Sequence, residues 1–154
     1  MQPESVASLA GALVEAGMRV YLETNGTLVD ALKSVLALVD VVAMDIKLPS
    51  NDCGDLWETH REFLRTCIEG PNRPLVFTKS VVTAITPLAE IEQAAKLMAE
   101  IAPNAPFVIQ PVAQRGEGPA PPDAAALLAM HTAAACIHAN TRLIPQCHPA
   151  LGLV

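Results

Sequence analysis

Two rhythms of apolar residues alternate along this chain. Val6, Leu9, Ala10, Leu13 and Val14 recur at the spacing of one helix face. Pro3 to Ala16 therefore predicts a helix, with Pro3 in its first turn and Gly17 just past its end. Met18 to Glu23 is a short run with β-branched and aromatic residues and predicts a buried strand. Leu28 to Leu38 returns to the helical rhythm through Leu28, Leu32, Val35 and Leu36, and Asp40 to Ile46 predicts a second strand. After the polar loop "PSNDCGD", Leu56 to Ile68 predicts a helix carrying the single Trp, which "EGPNRP" ends. Leu75 to Val82 predicts a third strand. Thr86-Pro87 opens a helix running to about Ile101, with Thr86 as its cap and Glu90 near its first turn. Pro106 to Pro111, Asp123 to Ala139 and Arg142 to Ile144 predict a fourth strand, an Ala-rich helix and a short fifth strand.

Helix and strand alternate five times with short connections, which demands parallel strands joined by crossover helices and an α/β fold. The near-continuous apolar strands imply a sheet covered on both faces. No internal repeat is visible. Helix and strand resume after the loop at 114–122, so residues 1–154 read as a single domain.

Composition narrows the classes. The chain has 154 residues, 51% apolar, enough for a core of Val, Leu, Ile and Ala, since aromatics are only 3%. A net charge of −6 argues against a nucleic-acid surface, which needs clustered Lys and Arg. No run approaches the roughly 18 apolar residues of a membrane span. "MQPES" has no secretory pattern, so a cytoplasmic setting is the expectation. Cys53, Cys67, Cys136 and Cys147 lie too far apart for a CxxC or zinc-finger spacing, and read as reduced, mostly structural thiols.

In parallel sheets, ligands gather at the carboxyl ends of the strands. The first predicted strand ends in Glu23, Thr24, Asn25 and Gly26, and the second in Asp45 and Lys47. The third carries Lys79 and Thr83, the fourth ends near Gln110 and Gln114, and the fifth runs into Gln146, Cys147 and His148. Carboxylates and carbonyls at adjacent strand ends can cage a hard cation. Asn25 offers donor and acceptor, Lys47 offers a point charge for a carboxylate or phosphate, and Gly26 allows close backbone approach. Each motif also has a purely structural reading. "TNG" is an ordinary strand-to-helix turn, Thr27 can cap the next helix, and Asp45 with Lys47 can be a solvated turn. Five strand ends delivering polar groups to one rim favour a ligand site.

The stretches "ETNGTL", "DVVAMDIKLPS", "FTKSVVT", "IQPV" and "RLIPQCHPALG", in this order, resemble the later part of a radical S-adenosylmethionine domain. They are most similar to the 7-carboxy-7-deazaguanine synthase family of queuosine biosynthesis. Pro145, Gln146, His148, Leu151 and Gly152 match that family's terminal pattern. The resemblance implies a partial (β/α)6 barrel of which about four to five βα units are present here. The family's Cys-x3-Cys-x2-Cys loop and Gly-Gly-Glu-Pro strand end are not in this sequence. Met1 to Glu4 falls where the family continues after the latter, so the resemblance implies an N-terminally truncated domain.

By resemblance, Glu23, Thr24, Asn25, Gly26, Asp45 and Lys47 form the cofactor side. Lys79, Gln110, Gln146 and His148 form the substrate side. The family uses S-adenosyl-L-methionine, a [4Fe–4S] cluster and Mg2+, and contracts the ring of 6-carboxy-5,6,7,8-tetrahydropterin. The chain supplies none of the cluster ligands, so the expectation is a piece inactive alone, binding a pterin-like small molecule and no nucleic acid or membrane. Two alternatives stand beside it: a fragment of a glycyl-radical-enzyme activating protein, and a non-catalytic remnant or subunit. Loss of two barrel strands bares apolar surface, which predicts that the isolated chain self-associates or is poorly soluble. By resemblance to a commonly dimeric family, a homodimer or pairing with a missing N-terminal part is the expected partnership.

Overall fold

Strand β3, Leu75–Val82, alternates between exposed or half-buried residues and buried ones along its whole length. That alternation follows from the strand's two-residue period and marks a sheet with one covered face. In the computed structural model, which describes residues 3–114 and 117–147, five strands form one sheet in the order β1-β2-β3-β4-β5. They are β1 (Tyr21–Thr24), β2 (Val41–Asp45), β3, β4 (Phe107–Pro111) and β5 (Thr141–Leu143), and every neighbouring pair is parallel. Helix α1 (Pro3–Glu15) precedes β1. Helices α2 (Val29–Val35), α3 (Trp57–Glu69), α4 (Leu88–Ile101) and α5 (Ala124–Ile137) fill the crossovers. Each helix packs on the next in sequence. Sequential strand order with right-handed crossovers puts all of them on one side, as in a β/α barrel opened along its length. The result is four βα units and a fifth strand.

The core lies between that helix layer and the face presenting Val42, Met44, Val76, Val82, Phe107 and Ile109. Three of its strand hydroxyls are satisfied locally. Thr78 Oγ1 reaches Met98 Sδ at 3.2 Å, Ser80 Oγ donates to the Ile46 carbonyl at 3.1 Å and Thr141 Oγ1 to the His138 carbonyl at 2.7 Å. The other face carries Tyr21, Glu23, Ala43, Asp45, Phe77, Lys79 and Val81. Tyr21 and Phe77 meet there with ring centroids 6.3 Å apart, while Tyr21 and Leu75 remain 55% and 67% exposed.

Several expectations change. The sheet is not covered on both faces, because sequential winding places no helix on the second. Strand β1 is a half-exposed edge strand rather than a buried one, and it is shorter than Met18 to Glu23. Its start is set by Asp40, whose carboxylate accepts the Val20 N–H at 2.7 Å. Gly17 closes α1 as expected, at φ +73°, with its N–H on the Val14 carbonyl and that of Met18 on Leu13. The second helix breaks at Val35 into a 3-10 turn, Leu36–Leu38. Thr86 does not cap α4. Its hydroxyl accepts the Thr83 N–H at 2.9 Å, and the residue before the helix is Pro87. Asp123 caps α5, accepting the Ala126 N–H at 2.7 Å. That helix stops at Ile137 because His138 turns extended and bonds the Ala105 carbonyl at 2.8 Å.

Candidate ligand-binding rim

The turn after β1 is held from inside. Gly26 has φ +67°, a left-handed conformation that a side chain opposes, and a Cβ there would sit 2.5 Å from Met44 Cε and 3.2 Å from His60 Cδ2. So the fold requires this glycine before any ligand is considered. Thr24 Oγ1 accepts the Gly26 N–H at 3.2 Å. Asn25 Oδ1 accepts both the N–H and the hydroxyl of Thr27, at 3.3 and 2.8 Å. This is an Asx turn, and it spends Thr27 locally rather than as a helix cap. Asn25 is exposed, and its amide nitrogen is the group left to offer a ligand.

Beyond the turn, four charges of alternating sign cross three strand ends. Asp45 and Lys79 are register partners on β2 and β3. Lys79 Nζ lies 2.8 Å from Glu23 Oε1 and 3.3 Å from Asp45 Oδ1, and Lys47 Nζ lies 2.9 Å from Asp45 Oδ2. The contact to Asp45 Oδ1 supplies charge rather than a directed bond, since that buried oxygen has no aligned donor. Burial pulls the Lys79 ammonium down, but its hydrogen bond to Glu23 and the field of Asp45 together hold its pKa above the ordinary 10.5. Lys79 thus lies in contact with Glu23 and Asp45 rather than apart from them. The carboxylates converge on its ammonium where the sequence suggested a free cation. Among the described residues no group of three His, Cys, Asp or Glu side chains is placed to hold a metal ion.

Beside this array opens a cleft of about 480 Å3 at the ends of β2 to β4. Asp45, Lys47, Asn51 and Thr83 give it polar groups, and Ile46, Val81, Ile85 and Val112 give it apolar walls. One wall is the 3-10 turn Pro49–Asn51. Glu90 clamps it, accepting the Ser50 N–H at 3.2 Å and the Ser50 hydroxyl at 2.8 Å, and Asn51 Nδ2 donates to the Val81 carbonyl at 2.9 Å. This employment explains why Glu90 does not turn back toward its own helix end. Gln110 is half-buried on β4 in register with Val81 and does not line the cleft. Gln146 ties its segment to the end of β4, its Oε1 accepting the Ala113 N–H at 2.8 Å. His148 lies outside the described residues.

The sequence singled out neither His60 nor Asn51, and it marked Glu90 only as a residue near the first turn of its own helix. His60 was legible as part of a helical stripe with Phe63, Leu64 and Cys67, all four buried. Its contact with the β1 turn was not. The ring is fully buried, and Nε2 lies 3.2 Å from the Asn25 carbonyl. Burial pushes its pKa below the ordinary 6.5, reinforced by Lys47, against the opposing pull of the Asn25 carbonyl and Asp45. All four cysteines are free, but only Cys67 is buried, its thiol pushed up to about 12 by desolvation, while Cys136 and Cys147 are exposed. No helix among the described residues is long and apolar enough to cross a membrane.

A parallel sheet wound on one side, with charged groups and a cleft at its carboxyl rim, defines an α/β protein of the open β/α-barrel type. No family model matches the chain. It is 40% identical over 137 residues to the 7-carboxy-7-deazaguanine synthase of Geobacter sulfurreducens, an alignment covering 86% of this chain and 52% of that protein. This chain is homologous to the 7-carboxy-7-deazaguanine synthase it matches, and it spans about half the length of that curated relative.

Proposed function

We propose that the chain forms the cofactor and substrate wall of a radical S-adenosylmethionine enzyme that makes 7-carboxy-7-deazaguanine from 6-carboxy-5,6,7,8-tetrahydropterin. The observation that carries this reading is the Glu23–Lys79–Asp45–Lys47 array beside the cleft, in a chain 40% identical to a protein of that name. Asn25, Asp45 and Lys47 fit an adenosyl cofactor, with an amide donor, an acceptor and a cation on one rim. The cofactor, when cleaved, supplies the radical that removes a substrate hydrogen. The chain's own part is to bind and orient. The clamped turn at 49–51 and the apolar walls suit a flat heterocycle.

The cysteines do not fit a [4Fe–4S] cluster. Cys67 is buried and held protonated, and the four thiols lack the Cys-x3-Cys-x2-Cys spacing. Among the described residues no three His, Cys, Asp or Glu side chains converge to hold a metal ion. Turnover therefore requires thiolates from outside these 154 residues. The exposed Tyr21 and Leu75 on the open face support a further segment or subunit there.

The test combines this chain with the part of the Geobacter relative that it does not cover, under reducing conditions, with iron, sulfide, S-adenosylmethionine and the tetrahydropterin. Mass-detected 7-carboxy-7-deazaguanine from the mixture, and none from the chain alone, is the expected result. Cofactor cleavage without that product sinks the assigned substrate and favours a glycyl-radical activating role. Absence of cofactor binding by the reconstituted pair favours a non-catalytic one.

A further inference from the structure

Packing alone does not account for an imidazole at position 60. A leucine would continue the Phe63, Leu64 and Cys67 stripe of α3 without leaving a bare polar atom. Instead His60 is fully buried and its Nδ1 has no hydrogen-bond partner. Its one polar contact is Nε2 on the Asn25 carbonyl, at 3.2 Å. A carbonyl oxygen only accepts, so the proton resides on Nε2 and Nδ1 is the bare acceptor. The ring also lies against the space that a Gly26 side chain would fill. Helix α3 thus reaches the turn after β1 at two successive residues, while the Asn25 side chain is braced on its outer side by Thr27.

We propose that His60 is the positioning residue of this turn. Its Nε2–H fixes the Asn25 carbonyl, and so aims the Asn25 amide nitrogen at the ligand on the rim. The identity of that ligand as an adenosyl cofactor rests on the function proposed above, whereas the hydrogen bond and the order of the turn do not. Outer bracing alone leaves the Asx turn free to rock about Thr24. The inner bond adds the second fixed point that a presented side chain needs.

The experiment uses the isotopically labelled 154-residue chain and two variants. Long-range proton–nitrogen spectra read the tautomer directly, and the Nε2–H form is expected. His60→Leu fills the stripe without a donor, and His60→Gln returns an N–H within reach. Hydrogen exchange at Gly26 and Thr27 reads the order of the turn. Titration with S-adenosylhomocysteine, followed at the Asn25 side-chain amide, reads its aim. The leucine variant should keep the sheet's protection, lose that of the turn and bind about tenfold more weakly, the scale of one lost neutral hydrogen bond. The glutamine variant should recover most of both. An Nδ1–H tautomer, or a leucine variant with native exchange in the turn, overturns the proposal. If the leucine variant does not fold, the tautomer and the glutamine variant decide. If the native chain binds no adenosyl ligand, the reading of the rim fails while the exchange data still judge His60.

Discussion

Phe107 and Phe77 stand on adjacent strands and on opposite faces of one sheet. Phe107, in register with Thr78, is fully buried under the helix layer; Phe77 is half-buried beside Tyr21. On the face of Phe107 the buried hydroxyls of Thr78, Ser80 and Thr141 are neutral and find local partners. On the face of Phe77 the sheet carries Glu23 on β1, Asp45 on β2 and Lys79 on β3. A charge costs too much on a covered face unless fully paired, so the open face is the one able to hold an ionic array. Winding all crossovers to one side therefore does more than build a core. It leaves the second face available for chemistry.

The sharpest way to break this comparison is to truncate both rings. Phe107→Ala should cost about 4 kcal/mol in denaturant unfolding, and Phe77→Ala roughly half that or less, since part of its area already meets water. Equal losses would mean that the second face is covered in solution. Next in size is Gly26→Ala, expected to destabilise by about 3 kcal/mol through left-handed backbone and contact with Met44 and His60. A thermal shift near zero would show that the turn rearranges freely.

A smaller effect, about 1–2 kcal/mol, is expected for Lys79→Met, which leaves Glu23 and Asp45 without their shared cation. The pH dependence sharpens it. With a folded pKa above the ordinary 10.5, Lys79 contributes stability that is whole below 10.5 and is lost as pH rises through the higher folded value. The methionine variant should lack that alkaline decline in urea midpoints. His60 runs the other way and more weakly. Its folded pKa lies below 6.5, so the unfolded chain binds the proton more readily. Its contribution is whole above 6.5 and fades as pH falls below it. His60→Gln should flatten this acid slope, and an unchanged slope would assign it to other groups.

The order and type of the elements were legible in the sequence, because both follow from local period. Leu75–Val82 is a strand at the predicted bounds, and Gly17 closes α1 by its left-handed φ. The strand ends also announced the rim, since a parallel sheet sends its carboxyl ends to one side. Partners were not legible. Lys79 meets Glu23 across 56 residues, and Ser50 meets Glu90 across 40. Such pairs depend on strand register and helix packing, which no local window contains. Thr86 and Glu90 formed a plausible cap pair by spacing, yet each found a nearer partner once β3 and the turn at 49–51 were in place. The bond from the Ala113 N–H to Gln146 across 33 residues was hidden for the same reason. Which segments become helix and strand was readable from the chain because a residue's own neighbours set it. Which residues line the cleft, which face stays open, which charges meet and what holds the Asn25 turn depend on distances between segments far apart in the chain, so they emerge only on folding.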